Sequence, residues 1–376
     1  MVFTFGTPLS YGIFREPFSE AFGISPVALS TVFSVMLFTF FIGSGAIGVL
    51  GVRLPARGIL LACAATTGFI APALYVVESY VGLLVVFGLL GLALGTAFVL
   101  VASVVPRWFV RRRGAATGLI FVGNGLGLFI FPPLWQVALD TYSVEYAFVL
   151  VIGSTAAAFL LAGLVCKRPD WVEQSTASVS DMVEWTVGLA GSRRFQYLFV
   201  GMGLAFAWYH LLAAFAVDLF QARGLTAVGA STAFGLIGGV SIVSRIASGY
   251  LADRIGSRQA FLGSLAGSAV GIALLVAPQT SLIVVGIVLV GLGLGGCATL
   301  YIPLLLEVYP PEMDSAIVGI FNIAAGIGSL AMPPLGTASI AYTEGYTAAL
   351  GLTCAVILGG LWLVIAGTRS MGAVGG

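Results

Sequence analysis

Few side chains in this sequence of 376 residues could do chemistry, and most of those sit inside long apolar runs. Arg245 stands in "GLIGGVSIVSRIASGYLADRIGSR", eight residues before Asp253, where the apolar run ends. As helix that is a depth of roughly 12 Å at about 1.5 Å per residue. A guanidinium so deep must face protein or water and must have a partner. Its planar fork suits a carboxylate. Two readings are open: it holds the carboxylate of a ligand, or it is a structural cation paired with an acid such as Asp218 or with backbone carbonyls.

His210 is the single histidine, and Asn124 and Asn322 are the only asparagines. A buried imidazole can donate to an anion or carry a proton near neutral pH, or it can simply bond a helix carbonyl. Amides facing lipid are costly, so Asn124 and Asn322 belong in a cavity or a helix contact. Tyr301 and Tyr11 can offer hydroxyls to a ligand, or pack as rings. His210 and Asp218 are the candidates for proton coupling.

These residues need elements to hold them, and composition says what those elements are. Hydrophobic residues make up 59% of the chain and charged residues 8%, with a mean hydropathy of +1.10. Water-soluble domains carry about 25% charged residues, so lipid is the main solvent here. A formal charge of +1 and scattered basic residues point to no nucleic-acid partner. Cys63, Cys166, Cys297 and Cys354 form no CxxC pair, so neither a disulfide framework nor a metal site is expected.

A helix needs about 20 apolar residues to cross a ~30 Å hydrocarbon core. Twelve such spans are expected, near 1–16, 30–50, 58–77, 80–105, 114–138, 145–166, 195–219, 229–250, 259–278, 281–306, 314–340 and 345–367. The polar stretch 167–194 reads as a linker between an N-terminal half, 1–166, and a C-terminal half, 195–376. Thirteen of the sixteen basic residues, among them Arg53, Arg57, Arg107, Arg111 to Arg113, Arg254 and Arg258, fall on one side of these spans. Glu20, Glu78, Asp140, Glu145 and Glu344 fall on the other. The positive-inside rule then puts both termini and the linker in the cytoplasm of a multi-pass cell-membrane protein.

The two halves repeat each other. Adding 201 takes Gly118, Gly125, Gly127, Pro132 and Pro133 onto Gly319, Gly326, Gly328, Pro333 and Pro334. The same offset takes Gly48, Arg53 and Arg57 onto Gly249, Arg254 and Arg258, and Gly95 and Ala97 onto Gly296 and Ala298. Halves with an even number of spans share one orientation, so these are parallel repeats about an axis along the membrane normal. The proline pairs, inside apolar spans, read as a paired bend or hinge, with mere packing as the other reading. The offset maps His210 onto Leu9 and predicts a first helix truncated at its start.

"GYLADRIGSR", Gly249 to Arg258, resembles the G-x-L-a-D-r-x-G-r-[RK] loop of the major facilitator superfamily. The first-half copy, "GVLGVRLPAR", has Val52 in place of the acid, so the gate the motif implies falls to Asp253, Arg254 and Arg258 with Gly249. "RWFVRRRGAATGLIFVG", Arg107 to Gly123, is similar to the signature of the branch holding monocarboxylate transporters and oxalate/formate antiporters, and "FGTPLSYGIF" to its first helix. The resemblance implies an all-α membrane fold of twelve helices and a substrate-carboxylate role for Arg245. It also implies departures. Ser241 stands where animal monocarboxylate carriers have an aspartate, and Leu9 where they have a lysine. The eleventh span offers Asn322 and no second cation, which favours a monoanion over a dicarboxylate.

"GLGLGG" and "GNGLG" imitate a dinucleotide fingerprint without the βαβ unit it requires, and there is no GxxxxGK[ST]. Close packing through GxxxG accounts for Gly91 with Gly95, Gly123 with Gly127, and Gly291 with Gly295. The chain is expected to be no enzyme and to need no cofactor. It is read as a secondary carrier, working as a monomer in the bilayer, for a small organic anion such as lactate, pyruvate, acetate or formate, with or without protons. Arg245, His210, Tyr301, Asn322, Tyr11, Leu9, Phe321 and Asn124 are its expected pocket. Efflux of a hydrophobic compound is the alternative, and a transport-inactive membrane sensor a third reading.

Overall fold

The computed structural model describes residues 1–50, 55–108, 113–167, 187–309 and 314–369. Among these every regular element is helical. In chain order they are α1 (Val2–Leu9), α2 (Arg15–Phe22), α3 (Pro26–Leu50), α4 (Ala56–Ile70), α5 (Tyr80–Val104), α6 (Arg113–Thr141) and α7 (Val144–Val165) in the first half. The second half holds α8 (Arg193–Ala213), α9 (Ala216–Ala222), α10 (Ala227–Ile255), α11 (Ser257–Leu274), α12 (Thr280–Val308), α13 (Asp314–Thr343) and α14 (Tyr346–Gly367).

Ten of these helices are long and apolar enough to span a membrane. The exceptions among the expected twelve are α11, whose serines, Arg258 and Gln259 dilute it, and the first. The expected span 1–16 is not one helix. Pro8 lies in the last turn of α1, a 3-10 turn at Tyr11–Phe14 follows, and α2 continues from Arg15. Its counterpart is built alike: α8 ends at Ala213 and the short α9 follows. The expected linker lies largely outside the described residues, as do Arg53, Arg111 and Arg112.

The repeat is physical, not only textual. Gly23 and Gly224, 201 apart, both adopt positive φ (62° and 93°) at the turn after each short helix, where a Cβ would be strained. Ser25 and Thr226, again 201 apart, cap the next helices by accepting from Ala28 N and Gly229 N. Glycine makes the same crossings in both halves. A Cβ on Gly127 would collide with Val2 O, and one on Gly328 would lie 2.6 Å from Gly203 O. Gly91 and Gly95 press on the carbonyls of Met36 and Phe40, and Gly291 and Gly295 press on those of Ile237 and Ser241. The pairing of α5 with α12 is therefore Gly95 with Gly295, an offset of 200. The offset of 201 that aligns Gly95 with Gly296 is one residue out of register there.

The halves meet along two equivalent seams, α3 with α13 and α6 with α10. Pro132 and Pro133 lie inside α6, and Pro333 and Pro334 inside α13, without interrupting either helix. Proline has no N–H, so Leu128 and Phe129 lose their helical donors. Both carbonyls turn toward Gly235 of α10, where a Cβ would lie 2.9 Å from Phe129 O. At the face opposite the end of α14, Ser30 hydrogen-bonds Thr337, and Ser231 donates to Gln136 at 3.1 Å. These two bonds are each other's images under the 201 offset. Between them a Cβ on Gly12 would collide with Ala213 O, its own image, so the pseudo-twofold axis passes through that contact.

The crossings set a measurable contrast. Gly328→Val should lower the melting temperature of the purified protein, since overpacking costs about 1–3 kcal/mol. Gly267→Ala, where a Cβ meets nothing within 4 Å, should be neutral or stabilising by up to about 1 kcal/mol. Equal melting temperatures for both variants would contradict the packing described.

A buried cation in an aromatic cavity

Helix α10 carries Arg245, and α12 fixes that turn. Glycines at 291 and 295 let the helices touch, and the Ser244 hydroxyl donates to Leu292 O from the residue beside Arg245. Arg245 is 6% exposed, and its Nε and Nη1 are buried without a hydrogen-bond partner. Asp218, the acid that could have paired with it, instead lines a separate, open cavity of ≈ 720 Å³ with Glu20, Asp140 and Glu145. The structural-pair reading through Asp218 is therefore not what the geometry shows.

Arg245 faces a cavity of ≈ 60 Å³ between the halves. At about 10–15 Å³ for each water-sized occupant, there is room for roughly four to six non-hydrogen atoms. Asn124, His210, Tyr301 and Asn322 line it too, so five of the expected pocket residues converge. No carboxylate lies among the described lining residues.

His210 closes one side. Its Nδ1 lies 2.7 Å from the Ser329 hydroxyl, which donates in turn to Ala325 O at 2.6 Å. With its one proton so used, that hydroxyl accepts from Nδ1–H, which leaves Nε2 with its lone pair. The ring meets Phe41 edge-on, 5.7 Å between centroids. Tyr301 is held the same way by Phe206 at 5.0 Å and 88°.

Three expected pocket residues lie elsewhere. Tyr11 donates its hydroxyl to Leu29 O at 3.0 Å and stacks on Phe33 at 5.0 Å, so it is a core residue of the first half. Leu9 is buried but does not reach the cavity. Phe321 turns away from the cavity to pack with Phe195, Phe199 and Tyr309. Of the expected gate residues, Asp253 is exposed, Arg254 lies over and bonds the Tyr250 ring and hydroxyl, and Arg258 Nε donates to Thr368 Oγ1 at 2.7 Å. A Cβ on Gly249 would meet nothing within 4 Å.

Other lining residues were not anticipated. Phe5, Phe40, Phe41, Phe98 and Phe121 form a ring-rich wall from the first half, and Tyr209 adds a hydroxyl from α8. Phenylalanine is so common here, 26 residues, that no local pattern separates these five from core rings. Tyr209, next to His210, could have been found by asking which neighbour of a buried polar residue carries a hydroxyl.

Comparison with known proteins agrees with this architecture. The profile of the Major Facilitator Superfamily matches residues 1–185 and 197–370. The chain belongs to that superfamily, and is a membrane transporter rather than an enzyme. Monocarboxylate transporter 13 of Rattus norvegicus is 26% identical over 374 residues, covering 96% of this chain and 85% of that protein. The MFS-type transporter pytF of Aspergillus terreus is 26% identical over 260 residues, 67% of this chain and 86% of its own length. A solved structure of the nucleoside transporter NupG, 12% identical, superposes with a TM-score of 0.78 over 97% of this chain and 98% of that one, which shows a shared fold.

An unpartnered buried cation has a stability cost. Arg245→Met should raise the melting temperature of the empty protein, since leaving polar groups unsatisfied costs about 1–3 kcal/mol. A melting temperature that falls on this substitution would show that Arg245 has a structural partner.

Proposed function

We propose that the protein is a secondary active transporter of small organic monoanions, monocarboxylates of the size of acetate, formate, lactate or pyruvate, working by alternating access. One observation carries the reading. Arg245 is buried, charged, unpartnered and directed at a small cavity without a carboxylate among its described lining residues. A monoanion supplies the missing charge and the acceptors together. The cavity volume supports a ligand of few atoms. The similarity to monocarboxylate transporter 13 supports the same class.

Transport follows from charge and symmetry. In the described state the hydrogen bonds Ser30–Thr337 and Ser231–Gln136 hold the halves together at the face opposite the end of α14. Binding the anion neutralises Arg245 and lowers the cost of moving it through the low-dielectric centre as the halves rock. If the empty carrier cannot make that move, the cycle is anion exchange. If a proton accompanies the anion, with Nε2 of His210 as its acceptor, the cycle is symport. In the alternate state Asp253, Arg254 and Arg258 brace the face where α14 ends, which we place in the cytoplasm of a cell-membrane carrier acting as a monomer.

The ring-rich wall also suits a hydrophobic compound, the substrate of an efflux carrier. Such a ligand leaves Arg245 without an acceptor, so it accounts for the wall but not for the cation.

Uptake of labelled acetate, lactate and pyruvate into proteoliposomes, with and without a pH gradient and internal anion, tests the reading. Arg245→Lys replaces the fork by a point charge and should reduce uptake about 10- to 100-fold, as expected for a lost hydrogen bond between charged groups. Parent-like uptake would remove the carboxylate assignment. His210→Gln keeps a polar side chain but cannot take up the proton, and should flatten the pH dependence of uptake. A pH profile matching the parent's would leave the histidine a packing role.

A further inference from the structure

Tyr209 precedes His210 in α8, and it too lines the central cavity. It is 2% exposed, and its hydroxyl is buried without a hydrogen-bond partner. Its ring is held firmly, parallel to Phe234 at 6.3 Å and edge-on to Trp208 at 5.7 Å. Phenylalanine would pack against both rings equally well and leave no unsatisfied hydroxyl. The phenol is therefore unexplained by packing.

The explanation lies across the cavity wall, where Tyr209 and Arg245 are close enough to interact electrostatically. The phenol oxygen could accept from the guanidinium, but no such bond is made: the Tyr209 hydroxyl and the Arg245 Nε and Nη1 are each without a partner. Arg245 brings Nε–H and Nη1–H, and Tyr209 brings Oη–H, all buried and all unused. A carboxylate has two oxygens and about four lone-pair sites, enough for all three. A neutral ligand with a single carbonyl oxygen is not.

We propose that Tyr209 is a substrate-binding residue, donating its phenolic proton to the same carboxylate that Arg245 neutralises. The first half provides no equivalent donor, since the 201 offset maps Tyr209 onto Pro8. The carboxylate is then held by α8 and α10 of the second half. This rests on the reading of the protein as a carboxylate carrier, and the test separates the two.

The test compares the parent, Tyr209→Phe, Arg245→Lys and the double variant in proteoliposomes, with acetate and lactate as probes. The melting temperature of each empty protein is measured alongside. Tyr209→Phe should weaken apparent affinity about 10-fold or more while changing the maximal rate far less, and its melting temperature should equal or exceed the parent's. The losses from Tyr209→Phe and Arg245→Lys should be clearly non-additive in the double variant, as for two groups sharing one ligand. Parent-like affinity in Tyr209→Phe beside a large loss in Arg245→Lys would overturn the role of Tyr209 and leave the carrier reading intact. A parent that takes up neither acid would overturn both. A drop in melting temperature with affinity unchanged would make the hydroxyl structural.

Discussion

The arrangement depends on keeping one positive charge in the middle of an apolar body without a counter-ion among the described residues. A guanidinium at that depth is tolerated only if it is held away from lipid and given a cavity to face. Helix α10 achieves the first by pressing its 237–241 turns against glycines of α12, so close that the neighbouring Ser244 hydroxyl finds Leu292 O. The seam between α6 and α10 supplies the other wall. There the proline-freed carbonyls of Leu128 and Phe129 approach Gly235, and Gly125 sits against Ile242 and Gly238. Any larger residue at these glycines would push the arginine's helix outward, and the cavity would lose its shape before it lost its charge.

The cavity is symmetric in position and asymmetric in chemistry. Under the 201 offset Ser44 is the image of Arg245, Phe5 of Phe206, and Phe121 of Asn322, and all six line it. Yet the second half contributes Arg245, His210, Tyr209, Tyr301 and Asn322. The first contributes five phenylalanines, with Asn124 and with Ser44, whose hydroxyl is already bonded to Phe40 O and Gly95 O. The cavity's polar side chains are thus concentrated in one half of a duplicated fold, while the other half supplies mostly aromatic wall. An apolar wall has no directional bonds to break, so a shift along it costs less than one through the polar half.

Much of this was legible in the residues and some was not, for physical reasons. The membrane class, the twelve-helix plan and the repeat follow from apolar run lengths and from glycines whose spacing repeats because the helix crossings repeat. Arg245 was legible because a charge inside an apolar run needs a purpose. The break of the first helix after Leu9 was hidden because apolar composition does not distinguish a continuous helix from one interrupted by a 3-10 turn. Tyr11 and Phe321 look like pocket residues in a linear reading. A helix has more than one buried face, and only the packing of neighbours decides which face meets the cavity. The one-residue slip between α5 and α12 was equally hidden, since both Gly295 and Gly296 were available to match Gly95 and only contact with a carbonyl separates them.

The two cavities carry opposite signs. Arg245 makes the small central one cationic, whereas Glu20, Asp140, Glu145 and Asp218 make the open one acidic, with no cation among its described lining residues. Fields of this kind act on an ion before it makes any contact. An anion is thus repelled at the open cavity and attracted at the central one, and the two share no lining residue. Keeping these four acids in a cavity of their own is what leaves the arginine's charge uncompensated at the centre.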